Sequence, residues 1–395
     1  MKPPVVFDLG FRVFFLLAGS YAVVAVGLWA GVYFGRLGLD PGGLTPFQWH
    51  AHEMVFGYTV AVIAGFLLTA TANWTGLRTL NGWPLAGLAA TWLLARALFL
   101  GGELLLAGVV DFLFLGLLFI AVAIPVLRVR QGRQAGILGK LVLFPPAVLV
   151  FSLGALGSLQ QGVQLGNFGG LYIVIGLILM MGRRVVPLFI KSGVPEEVEP
   201  GNPRWLDIAS LLLYLVFFVA VLVPGQGALA AAMAGALFLV NAWRMLAWHT
   251  PGIWRRPLVW VLYLGMWFVT AGFALHLLGW AGVISHLIAV HAFAYGGIGL
   301  MTLGMMARVS LGHTGRSIHE PPLAIQLAFG ILLLGALVRV VLPLLLTPSL
   351  YLYCIGASQL LWVLAFAIFV VVYAPMLLAP RVDAPPIKQG MQPSA

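Results

Sequence analysis

Charge is what this sequence has least of. Asp, Glu, Lys and Arg make up 8% of its 395 residues, against 62% hydrophobic residues, a balance no water-soluble core could conceal. Cysteine is scarcer still. The single one, Cys354, excludes an internal disulfide, leaves the redox compartment open and reads as a small packing residue. The chain also lacks a Gly-rich phosphate-cradling loop, paired cysteines for zinc and a nucleophile-elbow sequence. Chemistry that depends on those motifs is set aside.

What the chain has is apolar length. Runs able to cross a bilayer fall at 11–34, 46–73, 84–101, 103–127, 138–161, 167–190, 205–223, 227–247, 257–278, 281–308, 322–346 and 349–379. They predict an all-α membrane protein of twelve transmembrane helices in a lipid bilayer, one polytopic domain over 1–395 with no sizeable soluble part. The first run starts too soon after Met1, and is too long, for a cleaved signal peptide. Its Gly27, Gly31 and Gly35 form a small-residue ridge that predicts close helix packing. The longest connections are the stretch around Lys191–Arg204, with Glu196, Glu197 and Glu199, and the one around Arg36–Thr45. The tail, 381–395, is Pro-rich and expected to be disordered.

The net charge of +10 raises nucleic acid as a partner, so the placement of the positive charges decides. With the N-terminus inside, Arg36 alone falls outside and Arg96 and Arg339 lie within spans. The remaining 18 of 21 Lys and Arg residues fall at cytoplasmic ends. That is the positive-inside pattern of a bacterial inner-membrane protein with both termini cytoplasmic, not a nucleic-acid footprint.

Two helices superimpose without a gap. His52 to Gly76 reads HEMVFGYTVAVIAGFLLTATANWTG and His291 to Gly315 reads HAFAYGGIGLMTLGMMARVSLGHTG. The first histidine, an aromatic (Phe56, Tyr295), two glycines (Gly57 and Gly65, Gly296 and Gly304) and a closing Thr-Gly coincide. A weaker copy, Gly169 to Gly193, keeps Gly182 and a closing Ser192-Gly193 without the histidine. These are spans 2, 6 and 10, which suggests three four-helix repeats, 1–132, 133–256 and 257–380. Chance alignment of Gly-rich apolar helices is the competing explanation. Sites in repeat-built membrane proteins lie at repeat interfaces.

The eight histidines sort by depth. His249, His313 and His319 sit at the cytoplasmic surface among arginines, as a solvated basic rim. His50, His52, His276, His286 and His291 gather near the outer ends of spans 2, 9 and 10. An ionisable group in lipid is costly and marks a functional site by default. Thr45 can cap span 2 with Pro46 at its first position, placing His50 and His52 one to two turns in. Two residues apart on a helix point roughly 200° from each other, and His286 and His291 diverge by roughly 140°, at ~3.6 residues per turn. Each pair can serve separate centres and cannot readily share one ion. Imidazole without thiolates and with few carboxylates favours haem iron or copper over calcium, magnesium or structural zinc. A histidine satisfied only by hydrogen bonds is the plainer alternative.

Other polar groups share that level. Arg96 and Arg339 lie in the outer parts of spans 3 and 11, Glu103 opens span 4, and Asp111 follows two turns on. The arginines suit haem propionates, which guanidinium binds in bidentate fashion; bridges to Glu or Asp between helices are the equal alternative. Glu53, Tyr58 and Tyr295 follow the histidines and offer a proton relay, or packing alone.

The segments WHAHEMVFGYTVAVIAGFLLTATANWTG (49–76), MMGRRVVPLF (180–189) and AYGGIGLMTLGMMARVSLGHTGR (294–316) resemble the NnrS family, and the resemblance extends over essentially the whole chain. It implies a twelve-span bacterial inner-membrane protein containing haem and copper, tied to nitric oxide metabolism or nitrosative stress in denitrifying and pathogenic bacteria. The matching histidines His50, His52 and His291 carry the implied ligand role. By analogy of architecture alone, three four-helix arcs with histidines on second helices are distantly similar to the catalytic subunit of haem–copper oxidases and nitric oxide reductases. The departures are that no adjacent His-His pair occurs on span 7, and that the His-x-His lies on span 2 rather than span 10. His276 and His286 are therefore the candidates for copper.

Three functions follow as expectations. The first is a redox protein whose haem, with copper nearby, binds nitric oxide and detoxifies or reduces it, with His52 or His291 as axial ligand and His50 facing a second centre. A quinol or a cytochrome would donate electrons. The second is a transporter or delivery protein for copper, haem or another small ligand; few mid-membrane carboxylates and no Met-rich track count against it. The third is a binding-only sensor or scaffold.

Overall fold

The computed structural model describes residues 3–383; the end of the tail, 384–395, lies outside the described residues. All regular structure among them is helical. Twelve helices have the length and apolar character to cross a membrane: α1 Gly10–Tyr33, α2 Pro46–Thr75, α3 Gly82–Leu100, α4 Leu104–Arg128, α5 Gly132–Ala155, α6 Gly162–Gly193, α7 Arg204–Leu222, α8 Gly227–Trp248, α9 Pro257–Trp280, α10 His286–His313, α11 Leu323–Leu345 and α12 Tyr351–Leu378. Short connections make successive helices antiparallel. One end of the bundle thus collects the histidines and the other the arginines.

Local chemistry sets the ends. Thr45 accepts from the Gln48 backbone, Gln48 returns a bond to the Thr45 backbone, and Pro46 takes the first turn of α2, the expected capping box. Gly76 ends α2 at φ 68°, a left-handed cap open to glycine at little cost. Three spans differ from the hydropathy reading by five or six residues at an end: α6 starts at Gly162, not 167, and α5 and α10 are displaced as a whole. Helix α5 runs from 132 to 155, about six residues earlier, because Leu156–Gln161 form the turn and Gln161 is left-handed (φ 61°). It also breaks at Val142–Leu143, just before Pro145 and Pro146. Helix α10 starts at His286, not 281, because Gly282 turns the chain (φ 73°) and Ser285 caps the helix through the Leu287 backbone.

The contacts between helices recur with a period of four. In order, α1 packs on α2, α5 on α6 and α9 on α10; α4 meets α5, α8 meets α9, and α12 returns to α1. Inside this ring α2, α6 and α10 touch one another. Small residues allow the approach: a β-carbon on Gly170 of α6 would lie 2.5 Å from Phe56 of α2, and one on Gly304 of α10 would lie 2.7 Å from Val261 of α9. The Gly27–Gly31–Gly35 ridge does not pack between helices. Gly27 faces open space, Gly31 accommodates Leu37 of its own loop, and Gly35 is a turn residue at φ 66°. The ring closes through Arg12, buried on α1, which donates to the carbonyls of Met376, Leu377 and Ala379 at 3.3, 3.0 and 2.6 Å. Those are orphan acceptors at the end of α12, where a cation is favoured.

Candidate functional site

Helices α2 and α10 widen at the same place. Each carries a π-helical stretch, Glu53–Thr59 and Ala292–Gly299, starting one residue after His52 and His291 respectively. A third, Leu337–Val341 of α11, contains Arg339. Such stretches are rare and collect at functional sites. An inserted residue changes the angular phase of everything before it, so it decides which neighbours the histidines meet.

His50 and His52 point apart, as two residues' spacing on a helix requires. His52 is fully buried among Phe56, Phe99 and Phe151, on the side of α3, α4 and α5. Its Nδ1 donates to Glu53 Oε1 at 2.9 Å, and its Nε2 lies 3.5 Å from Asp111 Oδ2. Arg96 joins the two carboxylates, at 2.8 Å from Glu53 Oε1 and 2.6 Å from Asp111 Oδ1. The second approach is too oblique for a hydrogen bond, which leaves both Asp111 oxygens and His52 Nε2 without one. Tyr21 of α1 donates to the other Glu53 oxygen. Gly57 makes room for the cluster: its β-carbon would lie 2.8 Å from Tyr21 and 3.0 Å from the Arg96 guanidinium. Arg96 therefore serves inter-helix bridges, the alternative to a propionate site.

His50 turns the other way, toward the bundle's rim. Its ring stacks on Trp29 of α1, centroids 4.6 Å apart and 12° between planes. Its Nδ1 is buried with no hydrogen-bond partner. At the same end, His291 of α10 is hydrogen-bonded to Arg339 of α11. His291 Nδ1 lies 2.7 Å from the Leu287 carbonyl and Nε2 lies 3.0 Å from the Arg339 guanidinium. A carbonyl only accepts and a guanidinium only donates, so the proton sits on Nδ1 and the Nε2 lone pair accepts from Arg339. Arg339 also reaches the Tyr351 hydroxyl at 3.3 Å, and no carboxylate pairs with it among the described residues.

His276 and His286 meet at a third point, ring centroids 5.5 Å apart, between Phe217 and Phe168. The buried Nδ1 of His276 has no partner. Among the described residues no three His, Cys, Asp or Glu side chains are arranged to hold one metal ion, so the histidine groups offer one or two imidazoles rather than a closed cage. The two tyrosines hold helices together: Tyr58 meets Thr302 at 2.5 Å and Tyr295 donates to the Ser358 carbonyl at 2.7 Å. His313, at the arginine end, rests against Phe11. The residue that sequence reasoning assigned least, Asp111, proves central. Trp29 was not singled out; its one clue was a place on α1 at the depth of His50.

Fold and site together define a polytopic helical membrane protein with its polar, imidazole-rich residues gathered at one end of two inner helices and their neighbours. The chain belongs to the NnrS family, whose model, described as NnrS protein, matches residues 5–381. Membership links it to the nitric oxide response. No curated protein is similar enough to be matched with it.

Proposed function

We propose that this protein holds haem, with copper as a second centre, near the outer face of the bacterial inner membrane, both termini being cytoplasmic, and there binds nitric oxide. The observation that carries the reading is the pair of imidazoles at one end of the inner helices, His50 of α2 with an unpartnered Nδ1 and His291 of α10 beside Arg339, which has no carboxylate partner among the described residues. The donor set fits such a group. His291 would offer Nε2, which now accepts from Arg339, while its Nδ1–H is anchored on a backbone carbonyl, the outer-shell bond that orients a metal-bound imidazole. His50 adds an unpartnered nitrogen held against an indole. Arg339 suits a propionate. His276 and His286 would hold copper. We thus place the iron-ligand role on one of His50 and His291, since both His52 nitrogens face carboxylates.

Haem iron, when bound, supplies an open position for the gas and a store for an electron. The chain's own residues handle protons and exclude water. Glu53 and Asp111 face one guanidinium, Arg96, so one negative charge is left over; a single proton shared within the cluster neutralises it. Converting two nitric oxide molecules to nitrous oxide takes two electrons and two protons, and a quinol or cytochrome would supply the electrons. The period-four contacts and the touching of α2, α6 and α10 support the three-unit architecture and its distant likeness to haem–copper oxidases. The absence of a histidine from α6 sets this chain apart from that likeness.

Absorption spectra and iron and copper content of the purified protein test the reading. A retained Soret band that shifts with dithionite and with nitric oxide is expected. One of His50→Ala and His291→Ala should lose it, whereas His313→Ala should keep it. Native spectra in both outer variants would remove them as ligands. Nitrous oxide formed in reconstituted protein distinguishes reduction from binding alone, and a colourless preparation with metal-dependent flux would replace the proposal by transport.

A further inference from the structure

The MMGRRVVPLF segment plays no part in the histidine end. It lies at the opposite end of α6, where α5, α6 and α7 leave a half-open groove of about 500 Å³. Arg133 and Lys140 from α5 and Arg183 and Arg184 from α6 line it. One carboxylate answers them: Asp207 of α7, which pairs with Arg183 and also with Arg244 of α8 at 3.0 Å. Arg184 donates to the Gln134 side chain at 3.1 Å. Lys140 has only the Met180 sulfur nearby, 3.6 Å from its ammonium, a weak acceptor. Arg133 is exposed, with no ion-pair partner among the described residues.

Positive charge in excess is half of the pattern. The other half is the wall, where Leu179, Met180 and Leu211 give the groove an apolar side, and Leu211 is half exposed on the bundle's flank. Gly176 keeps the space open, since a β-carbon there would lie 2.8 Å from Tyr214 and 3.2 Å from the Lys140 stem. The break in α5 at Val142–Leu143 makes Ala135–Leu141 a separate short helix that carries Lys140. A cationic rim over an apolar wall, at the depth where spans meet headgroups, matches an amphiphile with an anionic head.

We propose that this groove binds an anionic phospholipid of the adjacent leaflet, its phosphate against Lys140, Arg133 and Arg183 and its acyl chains along Leu179, Met180 and Leu211. The site belongs to the middle third of the chain, the part without outer histidines, and holds whatever the histidine end carries. A neutral quinol head would leave the cationic excess unanswered.

The test is native mass spectrometry of the full chain released from nanodiscs of phosphatidylcholine containing a minor fraction of phosphatidylglycerol. Wild type should retain phosphatidylglycerol over phosphatidylcholine. Arg133→Gln with Lys140→Gln, which breaks no ion pair, should weaken that retention about tenfold or more, while Arg255→Gln at the same end should not. Equal retention by the double variant, or no preference for the anionic lipid, overturns the proposal. So does displacement of the lipid by millimolar inorganic phosphate or glycerol phosphate, which would make the groove a site for soluble phosphate.

Discussion

At the residue scale the Arg96 cluster is the most exacting part of the molecule. Buried charges hold only while each is answered, and removing one member of such a set typically costs about 3–5 kcal/mol. Arg96→Met should therefore lower stability in detergent by about that much, because Glu53 and Asp111 would be left facing each other. Adding Asp111→Leu to Arg96→Met should recover part of the loss; thermal unfolding of the two variants compares them directly. An equal or larger loss in the double variant would show that Asp111 does not depend on Arg96. Much of this site was legible beforehand: the depth of the outer histidines and the divergence of His50 from His52 follow from hydropathy and helix geometry. Which imidazole meets which partner was not. His52 aligns with His291 in sequence, yet His52 meets two carboxylates where His291 meets a carbonyl and a guanidinium.

At the scale of the element, the π-helical stretches also escape a reading from sequence. A pattern read at 3.6 residues per turn assumes one unbroken phase, and an extra residue between His52 and Val60 shifts it by roughly 100°. No apolar periodicity reports such an insertion. The glycines make the same point, since a small-residue ridge predicts contact only if another helix is there to meet it. Gly170→Leu should destabilise the α2–α6 contact by at least about 1–3 kcal/mol, the usual cost of overpacking, since Phe56 stands in the way. Gly27→Ala, facing open space, should fall within about 0.5 kcal/mol of wild type. Thermal shift of the purified variants reads both. A large loss at Gly27 would place an unseen partner on that face.

On the scale of the whole molecule, the spans were the easiest part to read, and the end of α5 and the start of α10 were misplaced where a turn is itself apolar. Hydropathy cannot divide Leu156–Leu159 from α5, nor Ala281–Ile284 from α10; backbone turns at Gln161 and Gly282 do. The asymmetry of charge makes a further expectation. In a Cys354→Ser background, Ser158→Cys should react with an impermeant maleimide added to intact cells and Gly132→Cys should not. The opposite labelling would invert the orientation.

The seam between the first and last helices has a consequence for how the protein is made. Arg12 lies on α1, and the carbonyls it clasps belong to Met376, Leu377 and Ala379, more than 360 residues later in translation. Until they arrive, α1 sits in the bilayer with a guanidinium unmatched and a flank open to lipid. A chain stopped before α12 would therefore lack the partner that closes the ring and would be left as an open arc.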